Sequence, residues 1–198
     1  MIKLSIVTIT KNNFNELNKT FKSIKNQTFA KNIELIIVNG GKKIKKKIKS
    51  NVFNIKIINY KSPGIYKAMN IGLSSAKGNH VLFLNSGDKF HNSRVIETLE
   101  RYSLSKHFSY FFISKVIGKV KSWNIPNNVQ KILPGDSVPV HQSILFNKQF
   151  YKKNSYNTDF SIAADYEFKL LLLRNYKVLF IPYVVSNHML GGISSTYT

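Results

Sequence analysis

Residues 3–38 read KLSIVTITKNNFNELNKTFKSIKNQTFAKNIELIIV, and this stretch decides the fold class. It begins and ends with short runs, residues 3–9 and 33–38, that are rich in β-branched side chains and apolar on both faces. Buried parallel strands have this character. Between the runs, four apolar side chains recur at spacings of three and four: Phe14, Leu17, Phe21 and Ile24. That spacing is typical of a helix lying on a sheet, so the stretch predicts a strand, a helix and a second, parallel strand.

The alternation of strands and helices continues through the rest of the chain. Further predicted strands lie at residues 53–58, 80–84, 110–120 and 177–185. Further predicted helices lie at residues 65–76, at 92–104 and from about Asp165 onward. Strands that alternate with helices indicate an α/β domain with a mostly parallel central sheet flanked by helices. Because no shift in composition divides the chain, we expect residues 1–198 to form a single domain.

The composition narrows the class of protein. The apolar share of 43%, with 14 Phe and 10 Tyr among 198 residues, is that of a globular chain and excludes a disordered one. Cys is absent, which excludes disulfides, thiolate metal sites and Cys nucleophiles. No apolar run approaches the roughly 18 residues that span a bilayer, and the first residues lack a signal-peptide cleavage site. We therefore expect a cytoplasmic protein.

The chain carries a formal charge of +21, and three interpretations of this charge remain open. One is a codon bias that leaves lysines on solvated faces; the others are nucleic-acid binding and attraction to anionic lipid or phosphate ligands. Most of the basic residues are Lys, whereas base readout favours Arg, so specific DNA recognition is disfavoured. The densest block, KKIKKKIKS at residues 42–50, is consistent with a short basic helix that has Ile44 and Ile48 on one side.

Polar residues follow three of the predicted strands at the point where each strand ends. They are Thr8-Ile9-Thr10, Asn39-Gly40-Gly41 and Asn85-Ser86-Gly87-Asp88. In an open parallel sheet, ligands bind at the carboxyl ends of the strands, so all three segments can face one crevice. Glycine lets the backbone approach a ligand closely, while Thr and Asn side chains offer hydrogen bonds to a base or a ribose.

Several motifs occur along the chain in a fixed order. They are SIVTITKNN, SIKNQTF, ELIIVNGG, GIYKAMNIGLSSAKGNHVLFLNSGDKF, HQSILFN, IAADYEFKLLL and GGIS. In this order they resemble the family 2 glycosyltransferases of the GT-A fold over nearly the whole chain, and most closely the bacterial enzymes that build surface polysaccharides of the capsule, O-antigen and colanic-acid type. The resemblance implies a nucleotide-sugar donor, usually a UDP-sugar, held across the strand ends with Mg²⁺ or Mn²⁺ on its diphosphate.

Within this resemblance, Asp88 matches the last acid of the family's DxD-type motif, which coordinates the metal. Hard cations take oxygen ligands, often from carboxylates together with substrate phosphates. His188 matches a histidine that is a second ligand in some relatives; a lone His is otherwise a surface or core residue. Asp88 is the only carboxylate of its motif, so we expect metal affinity to be modest until the diphosphate adds ligands. Taken alone, Asp88 in NSGD is more typical of an Asx turn.

Asp165 matches the family's catalytic aspartate, which acts as the general base. It removes the proton from the acceptor hydroxyl as that oxygen attacks the anomeric carbon opposite the diphosphate, and this single displacement inverts the configuration. A carboxylate suits the role because it is ionised at neutral pH and an apolar setting can raise its pKa. From the residues alone, Asp165 before YEFKLLLL is equally typical of a helix N-cap.

Further residues of the resemblance are expected around the donor and the acceptor. Donor-contacting positions are Thr8, Ile9, Thr10, Asn39, Tyr66, Asn70 and Ser86. Asn39 replaces the usual Asp, which keeps a carbonyl acceptor for a uracil imide but loses the charge, and Tyr66 is equally consistent with a core position. His141 and Gln142 match an HQ pair ahead of the acceptor-side segment. This pair orients the acceptor or the donor sugar, or it fixes the end of a loop.

We therefore predict an inverting, metal-dependent glycosyltransferase that moves a hexosyl or N-acetylhexosaminyl group from a nucleotide sugar to a glycan or lipid-linked acceptor. Residues 1–90 are expected to bind the donor, and residues 91–198 to form the acceptor side and a C-terminal tail. Peripheral contact with anionic lipid at the inner face of the cytoplasmic membrane would give the lysines a role. Two alternatives remain: a relative that binds nucleotide without catalysis, suggested by Asn39 and Lys67, and a basic nucleic-acid-binding module.

Overall fold

The computed structural model of the chain describes residues 3–44, 48–61, 64–117 and 139–189. Within these ranges the strands are β1 (Leu4–Thr10), β2 (Ile33–Asn39), β3 (Asn54–Asn59), β4 (His80–Phe83), β5 (Lys89–Phe90), β6 (Ser109–Ile117), β7 (Ile144–Asn147) and β8 (Val178–Met189). The helices are α1 (Phe14–Lys25), α2 (Ile65–Ser75), α3 (Val95–Arg101), α4 (Lys148–Lys153) and α5 (Ala164–Asn175). A turn of 3₁₀ helix spans His141–Ser143 and directly precedes β7.

The strands form one sheet in the order β3-β2-β1-β4-β7-β6-β8-β5. β1 pairs in parallel with both β2 and β4, β2 pairs in parallel with β3, and β6 pairs in parallel with β8. β7 runs antiparallel to β4 and β6, and β5 runs antiparallel to β8. This arrangement confirms the predicted α/β domain with a mostly parallel central sheet.

Side chains alternate between the two faces of the sheet and create two apolar layers. In β1, Val7 belongs to the layer packed by α2, α4 and α5, whereas Leu4 and Ile6 belong to the layer packed by α1 and α3. None of these three side chains is more than 1% exposed. Burial on both faces explains why the parallel strands read as continuous apolar runs. The sheet thus lies between two helical layers, and the carboxyl ends of β1, β2 and β4 meet at one edge.

Helix α2 lies close to β1 because of a glycine. Gly72 is buried in α2, and a Cβ at this position would overlap Cγ1 of Val7 in β1. Val7 is β-branched and fully buried, so it has little freedom to rotate away. The helix therefore rests directly on the strand. Its first turn, which contains Tyr66, stands with Ile9 and Thr10 at the carboxyl end of β1.

The predicted strands and helices are present, with ends that differ by a few residues. The structure adds β5, β7 and α4, which are only 2, 4 and 6 residues long and too short to show a period in the sequence. The basic segment differs from the expected helix: residues 42–44 and 48–50 are not helical, and Ile44 and Ile48 pack against the core. Residues 45–47, 118–120 of the predicted strand, and the C-terminal GGIS motif lie outside the described residues.

In the described part of the chain, no helix combines the length and the apolar character needed to cross a membrane.

Candidate functional site

A cavity of about 790 Å³ opens where β1 and β4 end. Its wall combines residues from several separate parts of the chain, among them Ile9, Thr10, Tyr66, Asn85, Ser86, Gly87, Asp88, Gln142, Phe160 and His188. Lys11, Lys19 and Lys67 also reach the wall. The acids Glu16, which pairs with Lys19, and Asp159 line it as well. A volume of this size suits a small-molecule or cofactor ligand.

The turn after β4 holds Asp88 in a fixed position. The Asp88 N–H donates to the carbonyl of Asn85 at 2.9 Å, which closes the turn. Gly87 has a φ of +103°, a conformation that glycine adopts without strain, and its N–H donates to Thr20 Oγ1 of α1 at 2.9 Å. The turn is thereby bound to α1, and Asp88 is only 4% exposed.

Asp88, Gln142 and His188 form a triangle of polar atoms. His188 Nδ1 lies 3.0 Å from Asp88 Oδ1. Gln142 Nε2 lies 3.0 Å from Asp88 Oδ2 and 2.9 Å from His188 Nδ1. The three residues come from the turn after β4, from the 3₁₀ turn and from the end of β8. The fold therefore brings the two residues predicted to bind metal, Asp88 and His188, into direct contact.

Hydrogen bonds alone cannot satisfy all three contacts of this triangle. If His188 Nδ1 carries a proton, it donates to Asp88 but faces the Gln142 amide nitrogen, which is also a donor. If Nδ1 carries a lone pair, it accepts from Gln142 but faces the negative Asp88 oxygen. Turning the amide over places its oxygen against the carboxylate instead. A cation that binds both Nδ1 and Oδ1 would offset the repulsion between their lone pairs, and the Gln142 N–H would then keep only Asp88 as its acceptor.

Both atoms of this pair can also bind a metal ion. Asp88 Oδ1 and His188 Nδ1 lie 3.0 Å apart, which is an ordinary hydrogen-bond distance. Among the residues whose placement is described, no group of three or more His, Cys, Asp or Glu side chains could hold a metal. The pair therefore suits a divalent cation whose remaining ligands are phosphate oxygens or water.

Asp165 lies in the first turn of α5 and is not its N-cap. The N-cap is Ala163, whose carbonyl accepts the N–H groups of Tyr166 and Glu167 at 3.0 and 3.2 Å. Ala163 has a φ of +71°, a left-handed conformation that costs a residue with a Cβ on the order of 1 kcal/mol. The capping interpretation of Asp165 is therefore excluded, and its carboxylate is free to face other side chains.

Three side chains surround the Asp165 carboxylate. Tyr66 OH donates to Oδ1 at 3.4 Å, whereas Lys169 Nζ lies 3.4 Å and His141 Nδ1 lies 3.8 Å from Oδ2. Burial by itself raises the pKa of Asp165, but His141 and Lys169 outweigh burial and hold the pKa below its ordinary value of 3.8. This direction is opposite to the one expected from an apolar setting. Asp165 is ionised at neutral pH.

Lys169 and Tyr66 complete the surroundings of Asp165. Lys169 is only 5% exposed; burial lowers its pKa, and the Asp165 charge opposes that lowering. Burial and the Asp165 charge raise the pKa of Tyr66, so its hydroxyl stays protonated and donates. Sequence reasoning missed Lys169, although it follows Asp165 at the four-residue spacing of a helical ion pair.

The consecutive residues His141 and Gln142 connect the two carboxylates. His141 faces Asp165, whereas Gln142 faces Asp88. The Asn85 amide nitrogen lies 3.0 Å from His141 Nε2, and in this orientation it donates there and leaves Nδ1 as the N–H that points to Asp165. Both residues of the HQ pair are expected on the acceptor side from the sequence. The structure instead brings Gln142 to the predicted metal pair.

Four of the seven residues predicted to contact a donor line the cavity: Ile9, Thr10, Tyr66 and Ser86. The hydroxyl of Thr10 donates to Ser86 Oγ at 3.3 Å across the ends of β1 and β4. Thr8 does not reach the cavity, because it is fully buried and its hydroxyl donates to the Leu84 carbonyl at 2.8 Å.

Two amide side chains predicted to contact the donor form hydrogen bonds with the protein's own backbone. Asn39 Nδ2 donates to the Lys42 carbonyl at 2.8 Å, and its Oδ1 accepts the Gly41 N–H at 3.1 Å. Asn70 Nδ2 donates to the Tyr156 carbonyl and its Oδ1 accepts the Tyr156 N–H, both at 2.8 Å. Neither side chain lines this cavity, but Asn39 lines an adjoining cavity of about 500 Å³ that shares Thr10 and Asn13 with it.

Solved structures share this fold. S. aureus TarS (residues 1–349), in complex with UDP, has a TM-score of 0.74 over 96% of this chain and 61% of its own length, at 17% identity. TarS is also solved in complex with UDP-GlcNAc. The mannosyltransferase PcManGT from Pyrobaculum calidifontis, in complex with GDP-Man and Mn²⁺, has a TM-score of 0.70 over 98% of this chain and 59% of its own length, at 10% identity. The chain thus spans about three fifths of these structures and shares their GT-A-like fold.

Relatives identified by sequence assign the family. The chain is 30% identical over 185 residues to an uncharacterized glycosyltransferase of Mycobacterium tuberculosis strain H37Rv, a match that covers 84% of this chain and 67% of the relative. An uncharacterized glycosyltransferase of strain CDC 1551 matches to the same extent. Residues 5–175 match the family described as Glycosyl transferase family 2. On these grounds, the chain belongs to Glycosyl transferase family 2.

Proposed function

We propose that this protein is an inverting, divalent-metal-dependent glycosyltransferase. It moves a sugar, of the hexosyl or N-acetylhexosaminyl type, from a UDP-sugar to a glycan or lipid-linked acceptor in the synthesis of a bacterial surface polysaccharide. The observation that carries the proposal is that the consecutive residues Gln142 and His141 link Asp88, which lines the cavity, to Asp165, whose hydrogen-bond partner Tyr66 lines it. Asp88 faces His188, a side chain that can bind a metal. Asp165 faces His141 and Lys169, which keep its carboxylate ionised.

The donor assignment is supported by the chemistry of the cavity wall. Asp88 and His188 suit a cation that shares ligands with a diphosphate, and Lys11 and Lys67 add positive charge at the wall, whereas Lys19 is paired with Glu16. The UDP and UDP-GlcNAc complexes of TarS, and the GDP-Man and Mn²⁺ complex of PcManGT, are of the same ligand class. A bound Mg²⁺ or Mn²⁺ ion would offset the negative charge that develops on the leaving diphosphate.

The two oxygens of Asp165 have different surroundings, and this difference assigns the base. Oδ2 faces Lys169 and His141, whereas Oδ1 faces the hydroxyl of Tyr66, which lines the cavity. We therefore assign Oδ1 as the atom that accepts the acceptor's proton. The acceptor oxygen forms a bond to the anomeric carbon, the bond from that carbon to the diphosphate oxygen breaks, and the diphosphate leaves with its electron pair. Attack from the opposite side inverts the configuration.

We also propose that the two halves of the chain bind different substrates. Residues 1–90 supply the strand ends and Asp88, which we assign to the donor, and residues 91–198 supply Asp165, which we assign to the acceptor side. The division is not complete, because Gln142 and His188 reach back to Asp88 from the second half.

A transfer assay tests the proposal. Wild-type protein is incubated with a panel of UDP-sugars, a panel of glycosides and Mn²⁺ or Mg²⁺, and release of UDP is followed. We expect turnover of at least one donor, and a loss of about 10² to 10⁴-fold in Asp165→Asn, the range typical of a lost general base. UDP-dependent thermal stabilisation should persist in that variant, because Asp165 does not contact the donor phosphates.

Glu167→Gln is the matched control, because Glu167 is a second acid in the same first turn of α5. It should keep full activity. Wild-type transfer rates in Asp165→Asn would remove the base assignment. Stabilisation by UDP without turnover of any donor would instead indicate a protein that binds nucleotide and has lost catalysis.

The pH dependence of transfer tests the surroundings of Asp165. Its lowered folded-state pKa predicts that the acid limb of the wild-type profile does not come from Asp165 at any pH above 3.8. In Lys169→Met, the loss of a neighbouring positive charge should raise the pKa of Asp165, which NMR titration of its carboxyl carbon measures directly. Lys153→Met, an exposed position in α4, should leave that titration unchanged. Identical Asp165 titrations in all three proteins would contradict the proposed role of Lys169.

We further propose that the basic segment contacts anionic lipid at the inner face of the cytoplasmic membrane, where a lipid-linked acceptor would lie. Lys42, Lys43 and Lys49 are exposed, while Ile44 and Ile48 beside them are anchored in the core. The lysines are therefore held at the surface by their neighbours. Each Lys close to an anionic bilayer contributes about 1 kcal/mol to binding.

Vesicle flotation tests this contact. The protein should float with phosphatidylglycerol vesicles at low salt and less at high salt, and replacing Lys42, Lys43 and Lys49 by Gln should weaken binding by roughly tenfold or more. A matched triple variant at the exposed Lys3, Lys77 and Lys106 should bind like wild type. Equal losses in both triple variants, or flotation that ignores salt, would contradict a specific role of the segment.

A further inference from the structure

The loop between α4 and α5 presents apolar side chains to solvent. Phe160 is 47% exposed and Ile162 is 39% exposed, and both rank among the few large hydrophobic residues that the described part of the chain leaves uncovered. Phe160 lines the large cavity, together with the neighbouring polar residues Thr158, Asp159 and Ser161. The exposed Phe160 ring is in contact with water at the wall of a polar cavity. A ligand that covered the ring would remove this apolar surface from water, which is favourable.

The fold holds the start of this loop firmly. Both atoms of the Asn70 amide bond the backbone of Tyr156 at 2.8 Å, so α2 fixes the point where the loop leaves the core. The Tyr156 ring is buried and stacks between Tyr66, with ring centres 5.8 Å apart, and Phe168, with ring centres 4.1 Å apart. The Asn157 side chain then accepts the Asp159 N–H at 3.0 Å, directly before Phe160. The backbone directly before Phe160 is therefore held in place by hydrogen bonds and ring stacking.

The position of the loop relative to Asp165 limits what Phe160 can contact. A hydroxyl that gives its proton to Asp165 Oδ1 must lie beside the hydroxyl of Tyr66, which is 3.4 Å from that oxygen. Tyr66 and Phe160 line the same cavity. The diphosphate is expected near Asp88, His188 and the lysines. The molecule that carries the attacking hydroxyl is thus left with the part of the cavity between Tyr66 and the loop.

We propose that Phe160 is the stacking platform for a pyranose ring of the acceptor, with Asp159 as a hydrogen-bond acceptor for the hydroxyl groups of that ring. This inference rests on the proposed glycosyltransferase function and names the acceptor class as a carbohydrate. One face of a pyranose presents mainly C–H bonds, which suit the negative face of an aromatic ring, while its edge presents hydroxyl donors. Carboxylate and hydroxyl groups on both sides of Phe160 favour a sugar over a lipid chain.

Saturation-transfer NMR tests the platform without knowledge of the natural acceptor. The probes are methyl β-pyranosides of glucose, galactose and N-acetylglucosamine, added to the protein in the presence of UDP and Mg²⁺. We expect at least one probe to bind wild type with saturation concentrated on the C–H protons of one ring face. Phe160→Ser should weaken that binding by about fivefold, because an aromatic contact of this kind is lost, and Phe160→Trp should restore it.

Tyr102→Ser is the matched control, because Tyr102 is 44% exposed but is not part of the cavity wall. It should bind the probes like wild type. Equal binding in Phe160→Ser and wild type, or no binding of any glycoside to wild type, would overturn the platform. Stronger binding of octyl than of methyl glycosides, with saturation on the alkyl chain, would overturn it in favour of a lipid.

Donor hydrolysis in the same proteins separates this inference from the proposed function. With Mg²⁺ present, wild type and Tyr102→Ser should release UDP from a donor at the same rate, which reports the donor site without any acceptor. If no UDP-sugar is consumed by any of these proteins, the proposed function fails. If donors are consumed and Phe160→Ser binds the glycosides normally, only the platform fails.

Discussion

Two consecutive residues, His141 and Gln142, hold the site together. They lie in one turn of 3₁₀ helix, where successive side chains point about 120° apart, so that His141 reaches Asp165 while Gln142 reaches Asp88. The chain has only 9 acidic residues against 30 basic ones, and two of the acids meet at this turn. The turn also starts β7, which is hydrogen-bonded to β4 in the sheet. A displacement of this turn would therefore change the surroundings of both carboxylates at once.

The sequence predicts the parts of this site that depend on local pattern, and not the parts that depend on distant partners. The apolar runs of β1, β2 and β4 define the strand ends, and with them the positions of Thr10 and Asp88. Asn70 lies in the expected helix, but its amide bonds the backbone of Tyr156, 86 residues away, which no local pattern records. The lowered pKa of Asp165 depends on both kinds of partner, because Lys169 lies four residues away on the same helix and His141 does not. The apolar residues near it in sequence suggest burial, whereas His141 approaches from a separate turn.

The lowered pKa of Asp165 makes its carboxylate a weak base, and this limits how early in the proposed displacement it can accept a proton. A weak base removes a proton poorly from a free hydroxyl. If the bond to the diphosphate breaks early, the sugar gains oxocarbenium character, as in glycoside hydrolysis, and the attacking oxygen becomes acidic as its new bond forms. Asp165 then needs to accept the proton only late in the reaction. Most of the rate acceleration would come from groups that stabilise the departing diphosphate, which are the cavity lysines and a cation held by Asp88 and His188.

Asp88 and His188 are the residues that we propose hold a divalent cation on a nucleotide diphosphate. A crystal soaked with UDP and Mn²⁺ tests this site, with data collected at a wavelength where manganese scatters anomalously. We expect one anomalous peak in the cavity, in contact with Asp88 Oδ1, His188 Nδ1 and phosphate oxygens. UDP bound in the cavity with no peak there, or with a peak that neither side chain touches, would rule out the proposed cation site.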